Sequence, residues 1–281
     1  MKKILMMVTG LLVGVGLCAA DKPQEGSESA LGLSLETSVK FQTDYAYRGR
    51  RELRKAMLPN IRVGYPAFAG GTVYAGAEAA VGIDDAAWGN RIAPYIGITY
   101  DATDIFKLDA GYTHNFHTSL RTNNIVGADK FPTGYRRNTS EFYAGVVADV
   151  LMTPSLYIFY DVGRKEFALE GKVGYTFDLS QYAVQGLSVD LGAKLGYDTA
   201  RRPYGAVYQS VLHGKKSYFY YGVSADIVYG ITSNAKAKIG VYYEGNSAKR
   251  PPDVTWVYSS YEKTGYHKNI VWFNASIDCS F

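Results

Sequence analysis

The sequence predicts an all-β chain, a transmembrane antiparallel up-and-down β-barrel of about 12 strands that follows an N-terminal signal peptide. Hydrophobic and polar residues alternate with period two in segments of about ten residues. The composition includes 25 Tyr and 30 Gly against 9 Pro, which favours strands over helices. The connections between segments are alternately short and long, as are the periplasmic turns and extracellular loops of barrels.

The N-terminus has the order of features that characterises a secretory signal. Two lysines follow Met1, an apolar run extends to Cys18, and Ala19 and Ala20 supply small residues at a cleavage site. We therefore expect three segments: a cleaved signal peptide at 1–20, a short periplasmic segment at 21–30, and a single barrel domain at 31–281. The apolar run is too short for a spanning helix, which needs ~20 residues.

The first and last strands show the alternation most clearly. From 31 to 47 the odd positions are mostly apolar or aromatic, whereas the even positions include Glu36, Lys40 and Asp44. From 271 to 281 the odd positions are again apolar and the even ones mostly polar. Each segment therefore has one lipid-facing and one lumen-facing side.

Ten further segments complete an even number of strands, as bacterial barrels require. They span 58–65, 72–82, 91–100, 105–115, 141–150, 156–162, 167–177, 187–197, 218–229 and 235–244. Tight connections are expected at 66–71, 101–104, 152–154, 180–185 and 232–234. Long connections are expected at 48–56, 116–138, 198–217 and 245–267. The connection at 163–166 is an exception, because it is short although it lies at the end of the barrel that carries the long loops.

Aromatic residues lie near the ends of the predicted strands. They are Tyr45, Tyr47, Tyr65, Tyr100, Tyr112, Tyr160, Tyr175, Phe177, Tyr197, Tyr229 and Tyr243. Such rings favour the lipid–water boundary, so the set predicts the two aromatic girdles of a membrane barrel.

The alternation also predicts which charged residues line the lumen. The candidates are Lys40, Asp44, Arg62, Glu78, Arg91, Asp109, Glu170, Lys194, Asp226 and Lys238. Buried charges are costly unless they are hydrated or paired. Eight-stranded barrels are filled by side chains and sixteen-stranded ones hold a channel, so about twelve strands allows either a narrow pore or a side-chain plug. The pore is the favoured hypothesis.

Basic residues are concentrated in the predicted long loops and form a candidate extracellular rim. They are Arg48, Arg50, Arg51, Arg54, Lys55, Arg136, Arg137, Arg201 and Arg202. Such a rim would attract anions, or bind the phosphates of outer-membrane lipid and lipopolysaccharide. Nucleic acid is not expected as a partner, because the charges belong to loops of an exported protein.

A catalytic or metal function finds little support in the sequence. A lipid-cleaving site needs a serine, a histidine and an orienting polar partner in contact, and no motif brings such residues to His114 or His117. The two histidines lack a nearby third metal ligand. We therefore expect no enzyme, cofactor or metal. An outer-membrane lipid hydrolase stays as a third hypothesis, after the two functions given at the end of this section.

The terminal Phe281, the alternating strands and the signal peptide together resemble bacterial outer-membrane proteins. That resemblance implies the outer membrane of a Gram-negative-type bacterium and recognition of the last strand by the barrel-assembly machinery. More locally, the segment Asp44-Tyr45-Ala46-Tyr47-Arg48-Gly49, followed by Pro59, resembles the opening of the Gcw_chp family of outer-membrane barrels. This second resemblance implies location and architecture only.

Two functions follow as expectations. The first is a porin-like channel for passive diffusion of small hydrophilic solutes, with anion preference as an open part of the hypothesis. The alternative is a non-conducting scaffold or adhesin whose basic loops bind surface lipid or a partner.

Overall fold

The computed structural model describes residues 32–83, 90–118, 138–163, 165–182, 184–199, 217–247 and 269–281. Within these ranges the side chains at 50–52, 54, 117 and 118 are outside the description. The predicted signal peptide, the periplasmic segment and residues 119–137 of the predicted 116–138 connection therefore lie outside the described residues. In the part of the chain that is described, no helix has the length and hydropathy to cross a membrane.

Twelve antiparallel strands form a closed barrel in chain order, which confirms the predicted fold class. The strands are β1 (Ser34–Tyr47), β2 (Arg50–Phe68), β3 (Gly71–Gly82), β4 (Asn90–Asp101), β5 (Phe106–Thr118), β6 (Thr139–Ala148), β7 (Ser155–Asp161), β8 (Glu166–Asp178), β9 (Leu187–Asp198), β10 (Tyr218–Thr232), β11 (Ala235–Asn246) and β12 (Asn269–Ser280). Pairing of β1 with β12 closes the sheet, with Phe41 opposite Ala275. Closure gives each strand two partners, so no long edge is exposed.

The two faces of the wall differ as the alternation predicts. Large apolar side chains are exposed on the outside, such as Ile96, Ile239 and Val271, while polar and charged residues occupy the inward positions. Exposed aromatic residues near the strand ends include Tyr65 and Tyr100 at one end and Phe142 and Tyr160 at the other. An apolar belt bounded by aromatic residues is the outer surface of an outer-membrane barrel.

The short connections lie at one end of the barrel. Residues 69–70, 102–105, 149–154, 179–186 and 233–234 join the strands there, close to the expected positions. By the size rule for barrel loops, this end is periplasmic and the opposite end is extracellular.

One predicted extracellular loop is wrong. Residues 48–56 do not form a loop, because β2 begins at Arg50 and a two-residue turn joins it to β1. Arg48 and Gly49 both have positive φ, 50° and 73°. Positive φ at both central residues is the geometry of a type I′ hairpin turn, which matches the twist of the paired strands.

The extracellular end of this β1–β2 hairpin leaves the barrel wall. The pairing of β1 with β12 extends only to Gln42, and the pairing of β2 with β3 begins at Ala56. Beyond these points residues 44–54, here called the tip hairpin, pair only with each other, with a register shift between Tyr45 and Ala46. Lys55, at the point of departure, has a φ of 44°. A register shift such as the one between Tyr45 and Ala46 is typical of a β-bulge, which bends a strand and increases its twist.

Candidate functional site

The tip hairpin bends into the lumen, where Arg48 contacts the opposite wall. The Arg48 guanidinium donates to the Glu141 carboxylate of β6 at 2.7 Å, and both side chains are buried, at 7% and 10% exposure. The guanidinium also lies 4.8 Å from the ring centroid of Tyr47 and 4.7 Å from that of Phe159 on β7. Arg48 is therefore anchored by charge pairing and by cation–π contacts together.

This position corrects two sequence expectations. Arg48 does not belong to an exposed basic rim, because it is buried against Glu141. Tyr47 does not belong to a lipid-facing girdle, since its hydroxyl lies 3.4 Å from Glu141 inside the barrel. Tyr45 is also buried, and its hydroxyl accepts a hydrogen bond from Arg91 at 2.8 Å. Period two fails at these residues because the tip hairpin has no neighbours in the wall.

The turn itself is fixed to β10 and β11. The Gly49 amide donates to Glu244 at 3.1 Å, and the Asn246 side chain donates to the Gly49 carbonyl at 2.7 Å. The Tyr218 hydroxyl donates to the Arg48 carbonyl at 3.2 Å. A Cβ on Gly49 would lie 2.6 Å from the Cβ of Tyr220, so only glycine permits this approach.

A small apolar cluster supports the base of the tip hairpin inside the barrel. Tyr45 and Leu53 of the hairpin pack with Ala56, Leu58 and Ala80 of the neighbouring wall, and all five are buried. Hydrophobic burial therefore adds to the polar anchors in holding the hairpin across the lumen.

Tyrosines and charged residues fill the lumen around the turn. Tyr220 donates to Glu170 at 2.9 Å, and Lys172 pairs with the same carboxylate at 2.8 Å. Tyr218 donates to Asp198 at 3.1 Å. Lys194 forms an ion pair with Glu244, the acceptor of the Gly49 amide. The extracellular half of the described lumen is thus a packed and extensively hydrogen-bonded layer.

A second network lies in the lumen beside β3 to β7. Asp109 accepts hydrogen bonds from Tyr74 at 2.6 Å and from Tyr157 at 3.0 Å. The Tyr74 hydroxyl also lies 2.6 Å from that of Tyr143. Arg62 lies 4.0 Å over the Tyr74 ring and forms an ion pair of 3.7 Å with Glu36. Asp109 therefore orients rings from two strands of the wall, and the Tyr74 hydroxyl links them to the Tyr143 hydroxyl on a third.

A third network lies beside β9 to β12. Asp226 accepts from Tyr242 at 2.8 and 2.7 Å, and the Tyr242 ring stacks on Trp272 with centroids 5.5 Å apart. Lys238 lies 3.4 Å from Asp278 and 3.9 Å from Asp190. The Lys238 ammonium is therefore shared between two carboxylates that come from two other strands of the wall.

The structure places most of the candidate lumen residues in these networks. Arg62, Asp109, Glu170, Lys194, Asp226 and Lys238 take part as described, and Glu78 forms an ion pair with Arg91. Lys40 is exposed on β1, while Asp44 begins the tip hairpin. Glu36, Lys40 and Lys172 keep water access, whereas side chains around the turn are buried. Burial of inward side chains is therefore pronounced at the level of the tip hairpin, although Tyr74 and Trp272 in the other networks are also buried.

The other candidate rim residues give a mixed outcome. Arg50, Arg51 and Arg54 lie on the β2 backbone of the tip hairpin, with side chains outside the description. Lys55 is exposed within β2. Arg136, Arg137, Arg201 and Arg202 lie outside the described residues.

The sequence pattern does not single out the side chains that hold the tip hairpin. Glu141, Glu244, Asn246 and Tyr218 were not among the candidates, although period two places each of them on an inward face. An inward carboxylate near the extracellular end of a strand was the available signal. The pattern does not identify the partner of such a carboxylate, because it predicts an exposed loop at Arg48.

Comparisons with protein-family models and with curated proteins find no match. No family model and no curated protein matches the chain, so the resemblance of the Asp44–Gly49 segment to the Gcw_chp family gains no support from a family model.

Solved structures with a similar fold include LpxR, a porin and an outer-membrane channel. LpxR from Salmonella typhimurium has 13% identity and a TM-score of 0.47, over 88% of this chain and 99% of that one. The KdgM porin has 13% identity and a TM-score of 0.44 over 88% and 99%. The COG4313 outer membrane channel from Pseudomonas putida F1 has 10% identity and a TM-score of 0.48 over 92% and 100%. With TM-scores below 0.5, none of them identifies functional side chains in this chain.

Proposed function

We propose that this chain is a porin-like channel for passive diffusion of small hydrophilic solutes across the outer membrane, with the tip hairpin as its constriction. The observation that carries the proposal is the path of this hairpin from the wall to Glu141, Glu244 and Asn246 on distant strands. The wall below it is lined by charged and hydroxyl groups, and several of these keep water access. A hydrated, polar lumen narrowed at one level is the usual plan of a diffusion channel.

The constriction limits the proposed solutes to small ones. Arg48, Tyr218 and Tyr220 are buried at this level, so a solute must pass between hydrogen-bonded side chains or displace the turn. Ion pairs such as that of Lys194 with Glu244 lower the free-energy cost of placing charged side chains in the lumen. The same groups would hydrogen-bond a polar solute and exclude apolar ones.

Anion preference remains a prediction that rests on the basic loops. Among the described side chains, Arg48 is neutralised by Glu141, and the carboxylates Glu170 and Glu244 lie close to the turn. The residues that would favour anions, Arg136, Arg137, Arg201 and Arg202, are outside the described ranges. A reversal potential measured across a salt gradient tests the preference directly.

The channel is tested by single-channel recording of the refolded protein in a planar lipid bilayer. We compare the wild-type chain with a variant in which a two-glycine turn replaces residues 44–54. The variant keeps every β1–β12 and β2–β3 pair, since those pairs involve residues outside the deleted range. We expect stepwise current from both proteins and a several-fold larger conductance from the variant.

The packed layer around the turn favours a second candidate, a non-conducting scaffold whose extracellular surface binds lipid or a partner. In that case we expect the wild type to be silent and the variant to conduct, because the tip hairpin is the segment of the described chain that crosses the lumen. Silence from both proteins, when each is shown to be folded, would contradict the channel and the constriction together. The proposed binding of lipopolysaccharide by the basic rim is tested separately, by co-purification at low and high salt.

A further inference from the structure

A serine, a histidine and a tyrosine are in contact on the outer face of the barrel. Ser140 of β6 lies directly opposite His114 of β5, and the Ser140 Oγ is 2.9 Å from the His114 Nδ1. The Tyr112 hydroxyl lies 2.9 Å from Ser140 Oγ and 3.1 Å from His114 Nδ1. These distances lie within the range of hydrogen bonds between a nucleophile, its base and an orienting group.

These three side chains face the lipid and not the lumen. They alternate with the inward residues of β5 and β6, and the rings beside them are exposed, with Phe116 at 40% and Phe142 at 53%. The His114 ring contacts Phe116 at 4.4 Å, and the Tyr112 ring contacts Phe142 at 5.1 Å. The group therefore lies at the level of the extracellular aromatic residues, where the hydrocarbon core meets the headgroups. The acyl esters of membrane lipids occupy this same level.

We propose that Ser140 and His114 are the nucleophile and general base of an acyl-ester hydrolase whose substrate is a lipid of the outer leaflet. The Ser140 hydroxyl donates to His114 Nδ1 in the tautomer that carries its proton on Nε2. Ser140 Oγ attacks the ester carbonyl while its proton moves to Nδ1, and the leaving alcohol oxygen takes that proton. Water then cleaves the acyl-Ser140 bond, with His114 again moving the proton, to release a fatty acid.

Tyr112 is a positioning residue in this proposal. Its hydroxyl can donate to Ser140 Oγ, which leaves the Ser140 proton directed at His114. Both Ser140 and His114 are held by pairing within the sheet, since they are Cα partners in the β5–β6 register. A rigid wall of this kind keeps nucleophile and base in reactive geometry without a flexible loop.

The test is fatty-acid release by the full chain refolded into vesicles of ester-linked diacyl phosphatidylethanolamine, followed by mass spectrometry. We expect release from the wild type and none from vesicles of the ether-linked analogue. Ser140→Ala and His114→Gln should each lower the rate by at least about 100-fold, the usual contribution of a nucleophile or general base. Tyr112→Phe should lower it about tenfold, because the pair itself is retained.

Labelling gives a readout that a structural role would not produce. A lipophilic fluorophosphonate should form an adduct on the peptide that contains Ser140, and His114→Gln should abolish the adduct while the barrel stays folded. Thr37→Val is the matched control, since Thr37 lies opposite Ile61 on the outer face, near the other end of the barrel. Its rate should equal that of the wild type.

Two results would overturn the proposal: no fatty acid and no adduct from folded wild-type protein, or full activity in Ser140→Ala. In either case Ser140, His114 and Tyr112 only satisfy one another's hydrogen bonds at the membrane boundary. The channel proposal is independent, because Ser140→Ala should leave the single-channel conductance unchanged.

Discussion

Replacement of Glu141 by glutamine tests whether the Arg48 contact holds the tip hairpin in the lumen. Glutamine keeps the size of the side chain and an oxygen that can accept from the guanidinium. It removes the negative charge that faces Arg48 at 2.7 Å. Arg48 would then be a buried cation without its paired carboxylate, although the rings of Tyr47 and Phe159 would still lie beside it.

The size of the effect follows from the burial of this pair. Removal of one partner from a buried ion pair costs about 3–5 kcal/mol, and the oxygen of glutamine should keep the loss near the lower figure. A shift of about 3 kcal/mol changes an equilibrium roughly 100-fold. If the hairpin exchanges between a seated and a released position, Glu141→Gln should raise the released fraction by that factor.

The assay is the open probability of single channels in a planar bilayer at one voltage and one salt concentration. We expect longer and more frequent high-conductance states in Glu141→Gln than in the wild type. Asp101→Asn is the matched control, because Asp101 pairs with Lys107 at 3.3 Å but both side chains are more than half exposed. Equal open probability in Glu141→Gln and wild type would refute the assignment of this pair as the lock of the hairpin.

Three further outcomes are expected. Gly49→Val should displace the turn, because the new Cβ would lie 2.6 Å from the Cβ of Tyr220 and the residue has a φ of 73°. Conductance should then rise as in Glu141→Gln. Unchanged conductance would contradict the close packing of the turn. Asp109→Ala removes the acceptor of two tyrosine hydroxyls and should lower the free energy of unfolding in urea by about 1–3 kcal/mol per hydroxyl, whereas Asp178→Asn at the exposed end of β8 should have no comparable effect. Ile239→Arg places a charge on the lipid face near the bilayer centre and should lower the free energy of unfolding by about 2–4 kcal/mol. If a lumen substitution such as Lys236→Gln lowered this free energy by as much, the assignment of the two faces would be contradicted.

The strand pattern was predictable because a barrel wall imposes period two on every strand that has two neighbours. Asp109, Glu170, Asp226 and Lys238 were placed among lumen residues on this ground alone, and each one takes part in a lumen contact. The even strand number and the short periplasmic turns followed from the same pattern, together with the turn-forming residues between segments.

The contacts between side chains were not predictable in this way. Alternation assigns a face to each residue but not its neighbours across the lumen, so the convergence of Tyr74 and Tyr157 on Asp109 needed the closed barrel. The same holds on the outer face, where the β5–β6 register alone brings Ser140 to His114. Register depends on pairing between strands, and period two is compatible with several registers.

By itself the sequence determined that this chain forms a twelve-stranded barrel with an apolar belt and a charged lumen, since those properties depend on residues two apart. Only the tertiary structure decided that residues 44–54 leave the wall and cross the lumen. The contacts that hold them join residues 93 positions apart, as in Arg48 with Glu141, or 197 apart, as in Gly49 with Asn246. Such contacts form only after the sheet closes and brings β6 and β11 opposite the same turn.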